Sequence, residues 1–250
     1  MDVCTIDKGI IYIINEGNKY TYGTKQRITS TYVANKIKEG YNELIYAGPV
    51  NAMGAFALAR GCIDNGIKCT LFLVGNKLSP QALEFPDMVT IHLMKMDLHN
   101  ASIIAEKYVK DNSQRFLVPF GINDHMYKNL LKISIENDDE IMSLNPKRIW
   151  IAVGSGTLLS ILLEIFPNTI FHAVQVGKSL NVEELHDDPR IVDQYRKRIY
   201  IYWAPEKFNK PAKIKPPYSS LINYDAKIWQ FVLKYGQDKD FVWNVARDFG

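Results

Sequence analysis

Ile149-Trp150-Ile151-Ala152-Val153-Gly154-Ser155-Gly156-Thr157-Leu158-Leu159-Ser160-Ile161-Leu162-Leu163 decides the fold. The first five residues form an unbroken apolar run after Pro146, the pattern of a strand covered on both faces. The glycine turn follows, and apolar residues then recur at helical spacing to about Phe166. The same alternation extends outward in both directions. Glu43 to Ala47, Lys68 to Val74, Val89 to Met94 and Arg115 to Val118 read as strands, and so do Thr169 to Val174 and Arg198 to Trp203. Ala52 to Asp64, Ser102 to Lys110 and much of 124–144 read as helices, with another from Thr31 towards Gly40. At the start, Gly9 to Ile14 and Tyr20 to Tyr22 suggest a hairpin turning at Glu16-Gly17-Asn18. After the proline-rich stretch Ala204 to Pro217, helices are expected from about Asn223 and Asp238. Strands alternating with helices predict an α/β protein with mostly parallel sheets. Glycine turns near residues 48 and 154 suggest two related lobes, the smaller over approximately 40–130 and the larger over 1–39 plus 131–250. A ligand would be expected between such lobes.

Composition narrows the class. The chain has 250 residues, 47% hydrophobic, enough for a large core. A net charge of +3 gives no argument for nucleic acid by itself. Basic residues are nevertheless concentrated in one place: Arg196, Lys197, Arg198, Lys207, Lys210, Lys213 and Lys215 face one acid, Glu206. They form either a solvated surface or an anion-attracting rim. No apolar run approaches about 18 residues and no leader pattern is visible, so a cytoplasmic protein without a membrane span is expected. Cys4, Cys62 and Cys69 have no metal spacing, and neither do His92, His99, His172 and His186.

Chemistry is suggested by two features. Gly154-Ser155-Gly156-Thr157 would let backbone N–H groups converge on an anion at a helix start, with the Ser155 and Thr157 hydroxyls assisting. The loop lacks the spacing of a dinucleotide fold and the lysine of a P-loop, and a plain strand-to-helix turn has the same look. The second feature is Lys25, in Tyr22-Gly23-Thr24-Lys25-Gln26-Arg27, on a turn before a helix. A lysine on such a turn and a distant phosphate loop are what pyridoxal 5'-phosphate requires: the amine forms the Schiff base and the loop holds the phosphate. Lys19, in Gly17-Asn18-Lys19, is the rival lysine.

The order and spacing of these motifs resemble the fold-type II pyridoxal-phosphate enzymes, the tryptophan synthase β family. They are nearest the aminocyclopropane-carboxylate deaminase and D-cysteine desulfhydrase branch. Gly23-Thr24-Lys25-Gln26-Arg27 resembles the family's lysine motif. Gly40 and Gly48 follow at matching distances, and Asn65-Gly66-Ile67-Lys68-Cys69 resembles its entry to the next strand. Val118-Pro119-Phe120-Gly121-Ile122-Asn123, Val153 to Leu158 and Tyr224-Asp225-Ala226-Lys227 resemble later family segments. The resemblance spans most of 20–230 and implies a compact two-lobed, three-layer α/β/α fold. It also implies a lysine-bound cofactor, a lyase or deaminase acting on an amino group, and a homodimer.

The departures concern the substrate. The family's Ser-Asn-(His/Gln) triplet falls on Ala52-Met53-Gly54, which carries no hydrogen-bonding side chain, while Asn51 stands one position early as a contact for the cofactor's ring oxygen. Ser219 or Ser220 takes the place expected of the acidic partner of the pyridine nitrogen, and a neutral partner there would make the cofactor a weaker electron sink. Asp124 and His125 are acid–base candidates, or else a helix cap and its first turn. Tyr127 and Tyr224 are candidates to touch the ring, or else core residues. Three alternatives stay open. One is an enzyme of the same cofactor modifying an amino group attached to a nucleotide or DNA base. Another is a cofactor-free nucleotide- or phosphoribosyl-binding protein. The last is a non-catalytic binding module.

Overall fold

The computed structural model describes residues 1–177 and 179–248, the side chains at 80 and 81 apart. Along the chain run β1 (Asp2–Ile6), β2 (Gly9–Asn15), α1 (Gln26–Lys38), β3 (Glu43–Pro49), α2 (Met53–Asp64), β4 (Lys68–Val74) and α3 (Pro80–Leu83). Next come β5 (Val89–Met94), α4 (Leu98–Lys110), β6 (Arg115–Val118), α5 (His125–Glu136), α6 (Asp139–Met142), β7 (Arg148–Val153) and α7 (Thr157–Ile165). The chain ends with β8 (Ile170–Gln175), α8 (Pro189–Arg196), β9 (Ile199–Trp203), α9 (Trp229–Tyr235) and β10 (Asp240–Asn244). Two units form, residues 1–24 with 132–250, and residues 25–131. The sequence reading draws the N-terminal boundary near residue 40. In the structure α1 packs on α2 and goes with the second unit.

The first unit holds a six-stranded sheet in the order β1-β2-β10-β7-β8-β9. Only β1 is antiparallel to its neighbour, with Asp2 opposite Ile13 and Ile6 opposite Gly9. β10 inserts between β2 and β7, so that Val242 faces both Ile13 and Trp150. Phe241, Val242 and Trp243 are buried because a central strand is covered on both faces. Trp150, Ile13, Val174, Ile228, Trp229, Val232 and Val242 share one apolar cluster. Both buried indoles of the sheet are paired. The Trp243 indole N–H donates to Thr24 Oγ1 at 3.0 Å, and the Trp150 indole N–H donates to Asp240 Oδ2 at 2.8 Å. Arg148 forms a short ion pair with the same buried carboxylate.

Two sequence expectations are corrected here. The hairpin pairs Asp2–Ile6 with Gly9–Asn15, whereas 16–18 is a short 3-10 turn and 20–22 forms no strand. The helix expected from Asp238 is β10 instead. Its run is short, and its place is set by strands β2 and β7, which are distant in sequence.

The second unit holds a parallel sheet in the order β5-β4-β3-β6. β3 is buried along nearly its whole length, with α2 and α4 packed on it. Glu43 at the start of β3 accepts hydrogen bonds from Thr70 at 2.6 Å, Tyr108 at 3.0 Å and Arg115 at 2.8 Å. These bonds hold its carboxyl below the usual range against the upward push of its burial. Among the described residues no helix is long and apolar enough to cross a membrane, and no cluster of His, Cys, Asp or Glu is arranged to hold a metal.

The close approach of α1 and α2 depends on Gly61. A Cβ there would stand 2.8 Å from the backbone carbon and oxygen of Thr29. Gly61→Ala is therefore expected to cost about 2 kcal/mol by overpacking. Gly66→Ala meets no neighbour within 4 Å and strains only its own positive φ. Urea denaturation of both variants checks this: equal losses would show that the helix contact has slack.

Candidate functional site

Lys25 lies immediately before α1, with backbone already helical at φ −64 and ψ −28. Its carbonyl accepts a hydrogen bond from Tyr127 Oη at 2.7 Å, and its Nζ donates to the Gly121 carbonyl at 2.5 Å. The backbone at that acceptor is unusual. Gly121 has φ 71 and Ile122 has φ 54. A β-branched residue at positive φ costs on the order of 1–3 kcal/mol. The turn is held by the Gly121 N–H on Tyr46 Oη at 3.2 Å and by the Ile122 N–H on the Pro119 carbonyl at 2.8 Å. Gly54 closes over the lysine stem: a Cβ there would lie 3.5 Å from Lys25 Cδ and 3.6 Å from Tyr46 Oη.

Among the described residues no carboxylate pairs with Lys25. Loss of water around the ammonium brings its pKa down from 10.5 to about 8. A neutral fraction of about a tenth at pH 7, far above that of an ordinary lysine, makes this amine a nucleophile and, later, a base. Lys19 is a different kind of lysine. It is half exposed and pairs with Asp138 at 3.6 Å and Glu140 at 2.8 Å.

The other candidates in this unit divide. Tyr127 is fully buried, edge-on to Tyr32, and acts through the Lys25 backbone. Asp124 accepts the Tyr127 backbone N–H at 3.1 Å, which makes it the cap of α5, and lies 4.0 Å from Lys36. His125 occupies the exposed first turn of that helix. Asn51 stands on the exposed turn before α2. Of these, Tyr127 hydrogen-bonds the Lys25 backbone.

Desolvating Lys25 has a thermodynamic consequence. Its folded pKa lies below its unfolded value, so stability rises with pH between about 8 and 10.5 and the penalty is full below 8. Lys25→Met is expected to stabilise the protein at pH 7 by on the order of 3 kcal/mol and to remove that rise. Denaturant midpoints measured from pH 7 to 10.5 check both. An unchanged pH slope would mean that the ammonium remains hydrated.

The first unit carries the glycine loop. Gly154 is tightly packed, because a Cβ there would stand 3.0 Å from Tyr224 Oη. Gly156 has φ 81 and is enclosed by Leu180 and Leu185. Ser155 is exposed, Thr157 is buried, and their hydroxyl oxygens are 3.0 Å apart. α7 starts at Thr157, so the first N–H groups of the helix have no acceptor within it. Such a turn suits an anion. Tyr224 packs edge-on against Phe208, with its Oη 3.5 Å from the Ala152 carbonyl.

Ser219 and Ser220 differ. Ser219 Oγ accepts the Asp248 N–H at 3.2 Å, whereas buried Ser220 Oγ has no partner. The sequence reading missed Asp225, the neighbour of Tyr224. Its side chain is 1% exposed; Oδ2 accepts the Ala246 N–H at 3.4 Å, and Oδ1 has no partner. Burial raises its pKa from 3.8 to about 8. Because the folded pKa is raised, stability should fall as pH rises from about 4 to 8. Asp225→Asn is expected to flatten that fall, as read from urea midpoints at pH 4 and 8; a variant with the wild-type slope would place the titration elsewhere.

No family model matches the sequence, and no curated protein matches it. Solved structures do. An ACC deaminase homologue superposes with a TM-score of 0.71 at 16% identity, covering 95% of this chain and 84% of that one. A hydrogen sulfide-producing enzyme from Fusobacterium nucleatum gives 0.66 at 16% identity, covering 98% and 94%. Diaminopropionate ammonia lyase from Escherichia coli, in complex with an aminoacrylate–PLP azomethine reaction intermediate, gives 0.68 at 10% identity, covering 99% and 84%. The chain thus has the fold-type II pyridoxal-phosphate enzyme fold, the α/β class expected from its sequence.

Proposed function

We propose that this protein is a pyridoxal 5'-phosphate-dependent lyase or deaminase acting on an amino-group substrate. The observation that carries the reading is Lys25: a desolvated amine at about pKa 8, with no carboxylate partner among the described residues, held by a strained turn. Solved structures of this fold whose enzymes act as a lyase support it.

The residues present fit the cofactor. Lys25 would hold it covalently at its aldehyde carbon, and Gly154, Ser155, Gly156 and Thr157 would hold its phosphate. Asp225, neutral near pH 7 by itself, would share its proton with a ring nitrogen placed at its orphaned Oδ1, with Ser220 the neutral alternative. Ser219 is already engaged by the Asp248 N–H. Bound there, the cofactor supplies an electron sink for charge developing on the carbon that bears the amino group. Lys25 then takes or returns the proton at that carbon, and the Tyr127 hydroxyl fixes the backbone from which it works. Asn51 would contact the ring oxygen, and Tyr224 the ring. Asp124 is a cap, and acid–base work falls to Lys25. Ala52, Met53 and Gly54 bring no polar side chain to a substrate carboxylate, so the substrate is anchored by other groups. A homodimer and a cytoplasmic location complete the proposal.

Purified protein incubated with pyridoxal phosphate should develop a visible absorption band. Borohydride reduction and peptide mapping should place the cofactor on Lys25, and Lys25→Ala should abolish the label. Ser155→Ala with Thr157→Ala should weaken cofactor binding by about tenfold or more, since bonds to a charged acceptor are strong. Asp225→Asn, rather than Ser220→Ala, should change the pH dependence of the band. A protein that stays colourless with excess cofactor, or a label on another lysine, sinks the reading.

A further inference from the structure

The carboxyl end of β9 combines two features that nothing above uses. Trp203, its last residue, is 62% exposed. The segment after it, 204–217, carries exposed Lys207, Lys210, Lys213 and Lys215. Among the described residues none of these four ammonium groups pairs with a carboxylate. The neighbouring arginines are already engaged. Arg190 pairs with Asp188, Arg196 with Glu183 and Asp193, and Arg198 donates to the carbonyls of Leu163, Phe166 and Thr169. The one acid in the segment, Glu206, is buried and accepts the Lys213 backbone N–H and the Gln230 side chain. Lys197 is exposed at the opposite, amino end of β9, so the free positive charge at the carboxyl end lies on the four lysines.

The segment is held in place rather than loose. Ala204 N–H donates to the Gln175 carbonyl at 3.0 Å, and Ala212 N–H donates to the Ile222 carbonyl at 2.8 Å. Lys227 Nζ, on a side chain with no exposed surface, donates to the Lys207 carbonyl at 2.9 Å. Pro205, Pro211, Pro216 and Pro217 restrict the backbone further. Phe208 sets the position of the segment relative to the glycine loop. It packs edge-on against Tyr224, whose hydroxyl lies at Gly154, and it sits 3.6 Å from where a Gly177 Cβ would be. The segment that carries the lysines thus leaves the same edge of the same sheet as the proposed phosphate loop, with Phe208 next to it.

We propose that this strip docks a single strand of nucleic acid, its phosphates on the four lysines and a base stacked on Trp203. Four cations carried on one braced segment, with a turn between Lys207 and Lys210, exceed what one phosphate needs and suit a repeating one. An exposed indole at the end of the row supplies the sequence-tolerant stacking such binding uses. This deepens the reading above by naming its substrate class, an amino group carried on a nucleotide of a strand. It rests on that reading for the chemistry but not for the binding. A polymer held by its phosphates also needs no carboxylate anchor, in keeping with Ala52, Met53 and Gly54.

The test is fluorescence anisotropy with a dye-labelled, mixed-sequence single-stranded DNA, across a series of salt concentrations. Four phosphate contacts at roughly −0.7 each give an expected slope of log K against log salt of about −3. Replacing the four lysines by glutamine should bring the slope near zero. Trp203→Ala should weaken binding by about tenfold and leave the slope unchanged. Absence of binding at low salt overturns the proposal. So does equal competition by inorganic polyphosphate together with an inert Trp203→Ala, or by a free nucleoside monophosphate. The cofactor band, read on the same samples, separates the two readings. A coloured protein that ignores DNA loses only the strip, and a colourless one that binds DNA loses only the chemistry.

Discussion

Parallel pairing around β10 is the constraint on which the first unit depends. Its register against β2 on one side and β7 on the other aligns five strands in one direction. Every loop that leaves a carboxyl end then emerges at a single edge. The 154–157 turn, the 204–217 segment and the chain after Asn244 meet there for that reason. Open α/β sheets place ligands at this edge because backbone N–H groups and helix starts are available there. Two buried hydrogen bonds from indoles, to Thr24 and Asp240, secure the strand that makes this possible.

The second unit depends on a different cost. Lys25 is denied water and given one carbonyl, so its charge is disfavoured and its amine is reactive. The protein tolerates that cost through a turn at 121–122 that is itself strained. Tyr46 supports the turn and Tyr127 supports the lysine backbone, so two phenols position one amine. The same trade recurs at Asp225, where burial keeps a carboxyl protonated near neutrality and leaves one oxygen without a partner.

The sequence identified most elements because their apolar runs are long and unbroken. The failures are instructive. Asp240-Phe241-Val242-Trp243-Asn244 is too short to announce a strand, and only β2 and β7 make it one. The hairpin lies one strand earlier than expected because Asp2 to Ile6 is a short, half-exposed edge run, a weaker signal than the run it pairs with. The basic cluster at 196–215 read as one feature. In the structure the arginines are spent on local acids and carbonyls, and the lysines alone remain available.

What the sequence determined by itself was order: strand, glycine turn, helix, repeated, with one lysine at the right distance upstream. Periodicity and spacing are local properties, and local sequence encodes them. Tertiary structure decided environment. It separated Lys25 from Lys19 by desolvation and turned Asp124 into a cap and Tyr127 into a support. It also exposed Asp225 as the buried acid no spacing rule would find. A pKa or an orphaned oxygen depends on what lies within a few ångströms, and those neighbours come from residues distant in the chain.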